Sequence, residues 1–255
     1  MQIAKRTVAA LATASAVVCA LIYAPFWAVK AAIVALALLV QLEFSQMVSR
    51  KYPIMVAGGV AAGAVFLVSR LYFFDSCFVP IVFALALAAL FGKSDKPVGA
   101  LATTVLGLID IPFMLLYLVL IAEKSGSGAM MLLYIVAIIK VSDMGGFAAG
   151  MAFGRHKMCP SISPGKSWEG LAGSIAASML VSYLFIPLTG FAVPKALAFG
   201  LAAALAGTLG DLVESRMKRE CGVKDSATFM PAGMGGFLDM FDSVIFAPAL
   251  LASFI

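Results

Sequence analysis

The sequence predicts an all-α polytopic bundle of about nine transmembrane helices, and three observations carry that expectation. Hydrophobic residues make up 63% of the 255 positions and charged residues only 12%, with a mean hydropathy of +1.06. Soluble domains carry roughly 25% charge. Apolar runs approaching the about 20 residues that a helix needs to cross a bilayer recur along the chain. Lys and Arg gather at alternate ends of those runs, as topology requires of a membrane protein.

Taken in order, the spans fall at 7–23, 26–44, 53–74, 78–92, 98–122, 129–151, 168–188, 192–212 and 237–255. The first follows Lys5 and Arg6 and reads, from Val8 to Tyr23, as an uncleaved span rather than a signal peptide. The fourth is short for a bilayer. No internal repeat and no low-complexity linker interrupts the series, so the chain reads as one integral-membrane domain over 1–255, divided into N-terminal spans at 1–125 and a C-terminal half at 126–255. With the N-terminus inside, the inner segments carry Lys5, Arg6, Arg50, Lys51, Lys93, Lys96, Arg155, Lys157, Lys166, Arg216, Lys218, Arg219 and Lys224. The outer ends carry only Lys30, Arg70, Lys124 and Lys195. That asymmetry puts the 152–167 and 213–236 segments together on the cytoplasmic side. A turn at Pro187-Leu-Thr-Gly190 brings spans seven and eight side by side.

The net charge of +5 is explained by topology. Nucleic-acid binding would need a basic patch on a soluble scaffold, and no such patch is evident, so nucleic acid is not an expected partner. Four cysteines, Cys19, Cys77, Cys159 and Cys221, lie far apart without CxxC spacing, and His156 is the single histidine. Zinc is therefore not expected.

Polar residues inside spans call for a partner or a function. Asp110 in span five and Lys140 in span six lie each about 22 Å from the hairpin turn between them, at 1.5 Å per residue. Equal depth predicts a buried ion pair; the alternative directs Lys140 to Asp143, one turn along its own helix. Asp143 sits in KVSDMGGFAAG, where Gly145, Gly146 and Gly150 strip one helix surface for close packing. The next segment contains Ser163-Pro-Gly-Lys166-Ser-Trp168-Glu169. Hydroxyls, a glycine, a lysine and a helix N-terminus together suit a phosphate, whereas the bland reading is a capped turn with Trp168 at the membrane surface.

The densest polar stretch is GDLVESRMKRECGVKDSATFMPAGMGGFLDMFDS, residues 210–243. Asp211 and Glu214 stand at i and i+3 on the end of span eight, and Asp239 and Asp242 repeat that spacing at the start of span nine. Four carboxylates from two facing helix ends make a hard oxygen site suited to Mg²⁺. Arg216, Lys218, Arg219 and Lys224 between them supply the positive charge that a polyphosphate needs. The combination points to metal-assisted phosphoryl or nucleotidyl transfer.

These residues resemble the signature of the phosphatidate cytidylyltransferases (CDP-diacylglycerol synthases). The pattern S-x-apolar-K-R-x4-K-D is met by Ser215, Met217, Lys218, Arg219, Lys224 and Asp225, and the later G-G-apolar-x-D and final Asp by Gly235, Gly236, Phe237, Asp239 and Asp242. SPGKSWEG and SDMGGFAAGMAFGRHK also look like family motifs, and Glu43 resembles a recurrent family Glu. Spans one to five match in character only. Two positions depart from the pattern: Met234 stands where the family commonly has His, in a segment one residue longer, and Met240 stands where it commonly has Arg. The carboxylates and the SxxKR run are intact.

The resemblance implies a metal-dependent nucleotidyltransferase that turns CTP and phosphatidate into CDP-diacylglycerol and pyrophosphate for phospholipid biosynthesis. On that reading Asp211, Asp239 and Asp242 bind Mg²⁺ with Asp143 as a further ligand, and a second cation is left open. Lys166, Lys218, Arg219 and Lys224 hold phosphates, Ser163 and Ser215 assist by hydrogen bonds, and Asp225 belongs to the substrate site. Asp211, Asp239, Lys218 and Lys224 are the catalytic set. The expected setting is a multi-pass protein of the bacterial inner membrane, its site facing the cytoplasm among membrane lipid, with a homodimer left open. Other readings stand beside it: an ion-coupled transporter using Asp110, Lys140 and Asp143, an enzyme acting on another lipid phosphate, or an inactive scaffold.

Overall fold

A computed structural model describes residues 23–72, 78–91, 95–124, 128–226 and 236–254. Predicted span one, up to residue 22, lies outside them, as do Lys5, Arg6, Cys19, Cys77, Lys93 and the Pro231–Gly235 segment with Met234.

Among the described residues the architecture is helical apart from one small hairpin. The elements are α1 (Phe26–Val48), α2 (Val56–Tyr72), α3 (Phe78–Phe91), α4 (Pro97–Leu108), a π-helical turn (Ile109–Phe113), α5 (Met114–Lys124) and α6 (Gly128–Phe153). There follow β1 (Lys157–Cys159), β2 (Ser163–Ser167), α7 (Trp168–Leu184), α8 (Ile186–Thr189), α9 (Val193–Glu220), α10 (Phe237–Leu251) and a closing 3₁₀ turn (Ala252–Phe254). Among the described residues five segments are long and apolar enough to cross a membrane: 26–48, 97–124, 128–153, 193–220 and 237–254. Spans two to nine each coincide with a helix. Three of those helices, α2, α3 and α7, are shorter, at 17, 14 and 17 residues.

The core is built where α1, the α4–α5 segment, α6, α9 and α10 meet. Phe44, Ile111, Leu115, Tyr134, Ile135, Ile138, Phe199, Leu238 and Ala247 are fully buried there. Predicted span five is continuous but not uniform. Pro112 has no N–H to give the residue four before it, and the chain takes a wider π turn around it. Asp110 lies in that turn and is buried.

The glycines of α6 act as expected. A Cβ on Gly145 would come 2.5 Å from the Ala177 Cβ and 2.8 Å from the Gly173 carbonyl oxygen, so α6 and α7 approach backbone to backbone. On its other flank α7 uses serine. Ser178 Oγ donates to the Gly200 carbonyl at 2.8 Å and Ser182 Oγ to that of Ala196 at 2.5 Å. Both serines are fully buried, and each bond ties α7 to α9. The turn between these helices closes at Gly190, whose φ of +67° suits glycine.

Two regions expected as loops are ordered. Residues 157–167 form an antiparallel hairpin with Lys157 opposite Ser167. Predicted span eight also runs on beyond residue 212 to Glu220, because Glu, Arg, Met and Lys are good helix formers and Lys218 and Arg219 favour the helix C-terminus. It stops at Gly222, with φ +74°. The Val223 N–H bonds the Lys218 carbonyl at 3.0 Å and the Gly222 N–H that of Arg219 at 3.1 Å, closing a Schellman motif.

Candidate active site

The extended α9 sets the site. Asp211, Glu214, Ser215 and Lys218 follow one another at i, i+3, i+4 and i+7 and line one stripe of the helix. Gly207 and Gly210 let α10 come close. A Cβ on Gly210 would stand 2.9 Å from the Asp242 carbonyl oxygen. The carboxylates of α9 and α10 therefore meet across a glycine seam.

Two chains of contacts run through this seam. In the first, Lys166 Nζ from β2 pairs with Asp211 Oδ2 at 2.6 Å and donates to the Thr208 carbonyl at 3.2 Å. Ser215 Oγ donates to Asp211 Oδ1 at 3.2 Å. Lys166 is carried there by the hairpin, whose end is fixed by Ser167: its Oγ caps α7 by accepting from the Gly170 N–H at 3.1 Å. In the second, Lys218 lies between Glu214 Oε1, at 3.3 Å, and Asp239 Oδ1, at 2.5 Å. Asp239 Oδ2 accepts from the Ser226 N–H and hydroxyl at 2.8 and 2.9 Å and from the Gly236 N–H at 2.7 Å. Both Asp239 oxygens are thus engaged. Lys218 and Glu214 are buried, and the Glu214 carboxyl also lies beside that of Asp242.

A third helix joins from α6. Asp143 lies within electrostatic reach of Asp211 and Asp242, which are in reach of one another, and beside Ser243. Ser243 also donates from its N–H to Asp242 Oδ1 at 2.6 Å. Lys140 donates to the Met240 carbonyl at 2.9 Å and stands 4.0 Å from Asp143 Oδ2. The expected Asp110–Lys140 pair is therefore not formed. Lys140 faces α10, where the Met240 carbonyl and, one turn along its own helix, the Asp143 carboxylate satisfy it, and equal depth did not fix the facing side. Met240, at the position where Arg is common, contributes its backbone oxygen here.

The remaining predicted residues lie around this centre. Ser163 is half-buried at the start of β2. Arg219, Lys224 and Asp225 are exposed at and just beyond the end of α9. The structure brings Asp143, Lys166, Asp211, Ser215, Lys218, Asp239 and Asp242 together and leaves Arg219, Lys224 and Asp225 at the rim. Sequence reasoning missed Ser226 as a partner of Asp239, because a serine in an irregular segment carries no periodic signal. It also missed the pairing of each cation with its own carboxylate. Among the described residues no three His, Cys, Asp or Glu side chains converge closely enough to hold a metal ion as they stand.

Comparison with known proteins agrees with this picture. The chain matches the family model described as "Cytidylyltransferase family" over residues 4–255. It is similar to a phosphatidate cytidylyltransferase of Haemophilus influenzae, 37% identical over 138 residues, covering 50% of this chain and 46% of that protein. A phosphatidate cytidylyltransferase of Mycobacterium bovis is 39% identical over 137 residues, covering 53% and 43%. One of Staphylococcus aureus is 39% identical over 145 residues, covering 56% and 54%. The matched stretch spans about half the length of these curated relatives.

Proposed function

This chain belongs to the cytidylyltransferase family, and from that premise we propose that it transfers the cytidylyl group of CTP to phosphatidate, releasing pyrophosphate. The observation that supports the reading is the network in which Lys166 of β2 and Ser215 meet Asp211 of α9 while Lys218 joins Glu214 to Asp239 of α10, all at one end of the bundle. In the reaction a phosphate oxygen of phosphatidate forms a bond to the α-phosphorus of CTP, and the bond from that phosphorus to the β-phosphate oxygen breaks. Both reactants are anions, so the main barrier is charge.

The donor types suit Mg²⁺, but the carboxylates would have to draw closer to hold it, since no three of the described ones converge far enough as they stand. Among the described residues Asp143, Asp211, Glu214, Asp239 and Asp242 share the three lysines Lys140, Lys166 and Lys218. With all of them ionised, the carboxylates would exceed these ammonium groups, five to three. Hard oxygens in excess of cations suit a divalent ion. Asp211, Asp242 and Asp143 would hold it. Asp239 instead supports Lys218, since its oxygens already accept four contacts. When bound, Mg²⁺ would neutralise the triphosphate and favour the departure of pyrophosphate.

The side chains do the rest. Lys166 exchanges Asp211 for a phosphate oxygen as the nucleotide enters, which frees that carboxylate. Ser215 and Ser163 orient phosphate oxygens by hydrogen bonds. Arg219 and Lys224 at the rim gather the anionic substrates, with Asp225 beside them. Lys218, pinned between Glu214 and Asp239, presents a fixed positive charge. The lipid phosphate is the nucleophile, so no covalent enzyme intermediate is needed. The site faces the cytoplasm, where CTP is available, and the acyl chains stay in the membrane.

The test is turnover by the purified chain in phosphatidate-containing liposomes with labelled CTP, with and without Mg²⁺. The expected result is CDP-lipid formation that disappears on chelation. Absence of any CDP-lipid at saturating CTP and Mg²⁺ would overturn the proposal.

A further inference from the structure

Helix α1 touches the C-terminal half at the two helix ends that frame the charged connection. Glu43 is fully buried, and its Oε2 accepts from the Leu238 N–H at 3.0 Å, across 195 residues of sequence. Leu238 is the second residue of α10, where backbone N–H groups have no partner within the helix. Gly236 N–H donates to Asp239 Oδ2. Two carboxyl groups therefore fix the first turn of α10, one its own and one from α1. The other oxygen of Glu43, Oε1, is buried and receives no hydrogen bond from the described residues, so the bond to Leu238 is what holds this side chain in place.

The residues after α1 hold the other helix end. Lys51 Nζ donates to the carbonyl of Glu220, the last residue of α9, at 3.0 Å. The Tyr52 hydroxyl donates to the Glu220 carboxylate, and that bond raises the Tyr52 phenol above its ordinary pKa.

We infer that Glu43 is a positioning residue: its bond to Leu238 sets the first turn of α10 and thereby the placement of Asp239 beside Lys218 and of Asp242 beside Asp211. Lys51 and Tyr52 brace α9 in the same way. The catalytic consequence rests on the transfer reaction proposed above; the structural consequence does not. Removing the acceptor leaves the Leu238 N–H unpaired in a buried place and loosens the turn. Displacing the turn by about 1 Å is enough to cost catalysis heavily.

The experiment uses the full chain in lipid nanodiscs, with Glu43→Ala and Glu43→Gln compared with the parent. Hydrogen–deuterium exchange is read over residues 237–243, and kcat and KM for CTP are read in the CDP-lipid assay. Glu43→Ala should speed exchange in that peptide and lower kcat, each by about tenfold, with KM for CTP within about twofold of the parent. Glu43→Gln keeps an acceptor oxygen and should restore both values. Should Glu43→Ala fail to insert, Glu43→Asp, retracted by one methylene, is read the same way. Parental exchange and kcat in Glu43→Ala would overturn the inference, as would a Gln variant no better than Ala. A parent without turnover counts against the transfer reaction alone, and the exchange measurement then decides the role of Glu43.

Discussion

Lys166 and Lys218 are both lysines beside aspartates, yet their surroundings give them different tasks. Lys218 is buried, with a carboxylate on either side at 3.3 and 2.5 Å. Removing a cation from such a site leaves unpaired acid in a low-dielectric interior. Lys218→Met should therefore destabilise the protein by about 3 kcal/mol, read as a fall in the thermal unfolding midpoint in detergent. Lys166 is only part-buried and is held by one carboxylate and one carbonyl. Lys166→Met should leave the unfolding midpoint within a few degrees of the parent and lower CDP-lipid turnover by about a hundredfold. Unchanged turnover in that variant would remove Lys166 from the phosphate site. The i, i+3 spacings of 211/214 and 239/242 could be read in the sequence because a helix puts such residues on one face. Which cation neutralises which carboxylate could not, since that depends on how two helices are rotated against each other.

At the scale of the elements, the glycine surface of α6 and the buried serines of α7 clamp α7 between α6 and α9. This clamp positions the hairpin that carries Lys166. Gly145→Ala places a methyl group against Ala177 and the Gly173 backbone and should cost about 1–3 kcal/mol of stability. The same substitution at Gly165, where nothing lies within 4 Å, should change the unfolding midpoint little. The glycine surface was legible because GG and AAG in an apolar run mark a close helix contact. The serine stripe at 174, 178 and 182 was passed over, since serine in an apolar helix also reads as a neutral surface residue. The end of α9 was misplaced for a related reason. Charge after an apolar run reads as the end of a span, but a helix persists beyond the membrane while its residues favour it and its C-terminus is capped. The π turn at Pro112 follows from one residue's missing N–H, and Asp110 lies buried within it.

At the scale of the molecule, contacts between helix ends mark two opposite ends of the bundle. Lys30 and Glu123 pair at 3.2 Å at one end of the bundle. Lys51, Tyr52 and Glu220 join at the other, together with the hairpin and the carboxylate cluster. In the proposed orientation the second end is cytoplasmic. Single cysteines at 123 and 157, in a background without native cysteines, should then react with impermeant maleimide from opposite sides of the membrane. Labelling of both from one side would break the topology. The helical bundle, spans two to nine and the placing of the C-terminal carboxylates on neighbouring helix ends were readable from hydropathy and charge. The part of α1 in fixing α10 was not, because a hydrogen bond across 195 residues leaves no local pattern. What the whole account depends on is a cation held by carboxylates from separate helices, and the most direct measurement is the Mg²⁺ dependence of turnover in Asp143→Asn, Asp211→Asn and Asp242→Asn, with Glu123→Gln at the far end as control. Each aspartate variant should need at least about tenfold more Mg²⁺ for half-maximal rate or lose turnover, while the control matches the parent. An Asp211→Asn protein with the parent's rate and the parent's Mg²⁺ requirement would contradict it.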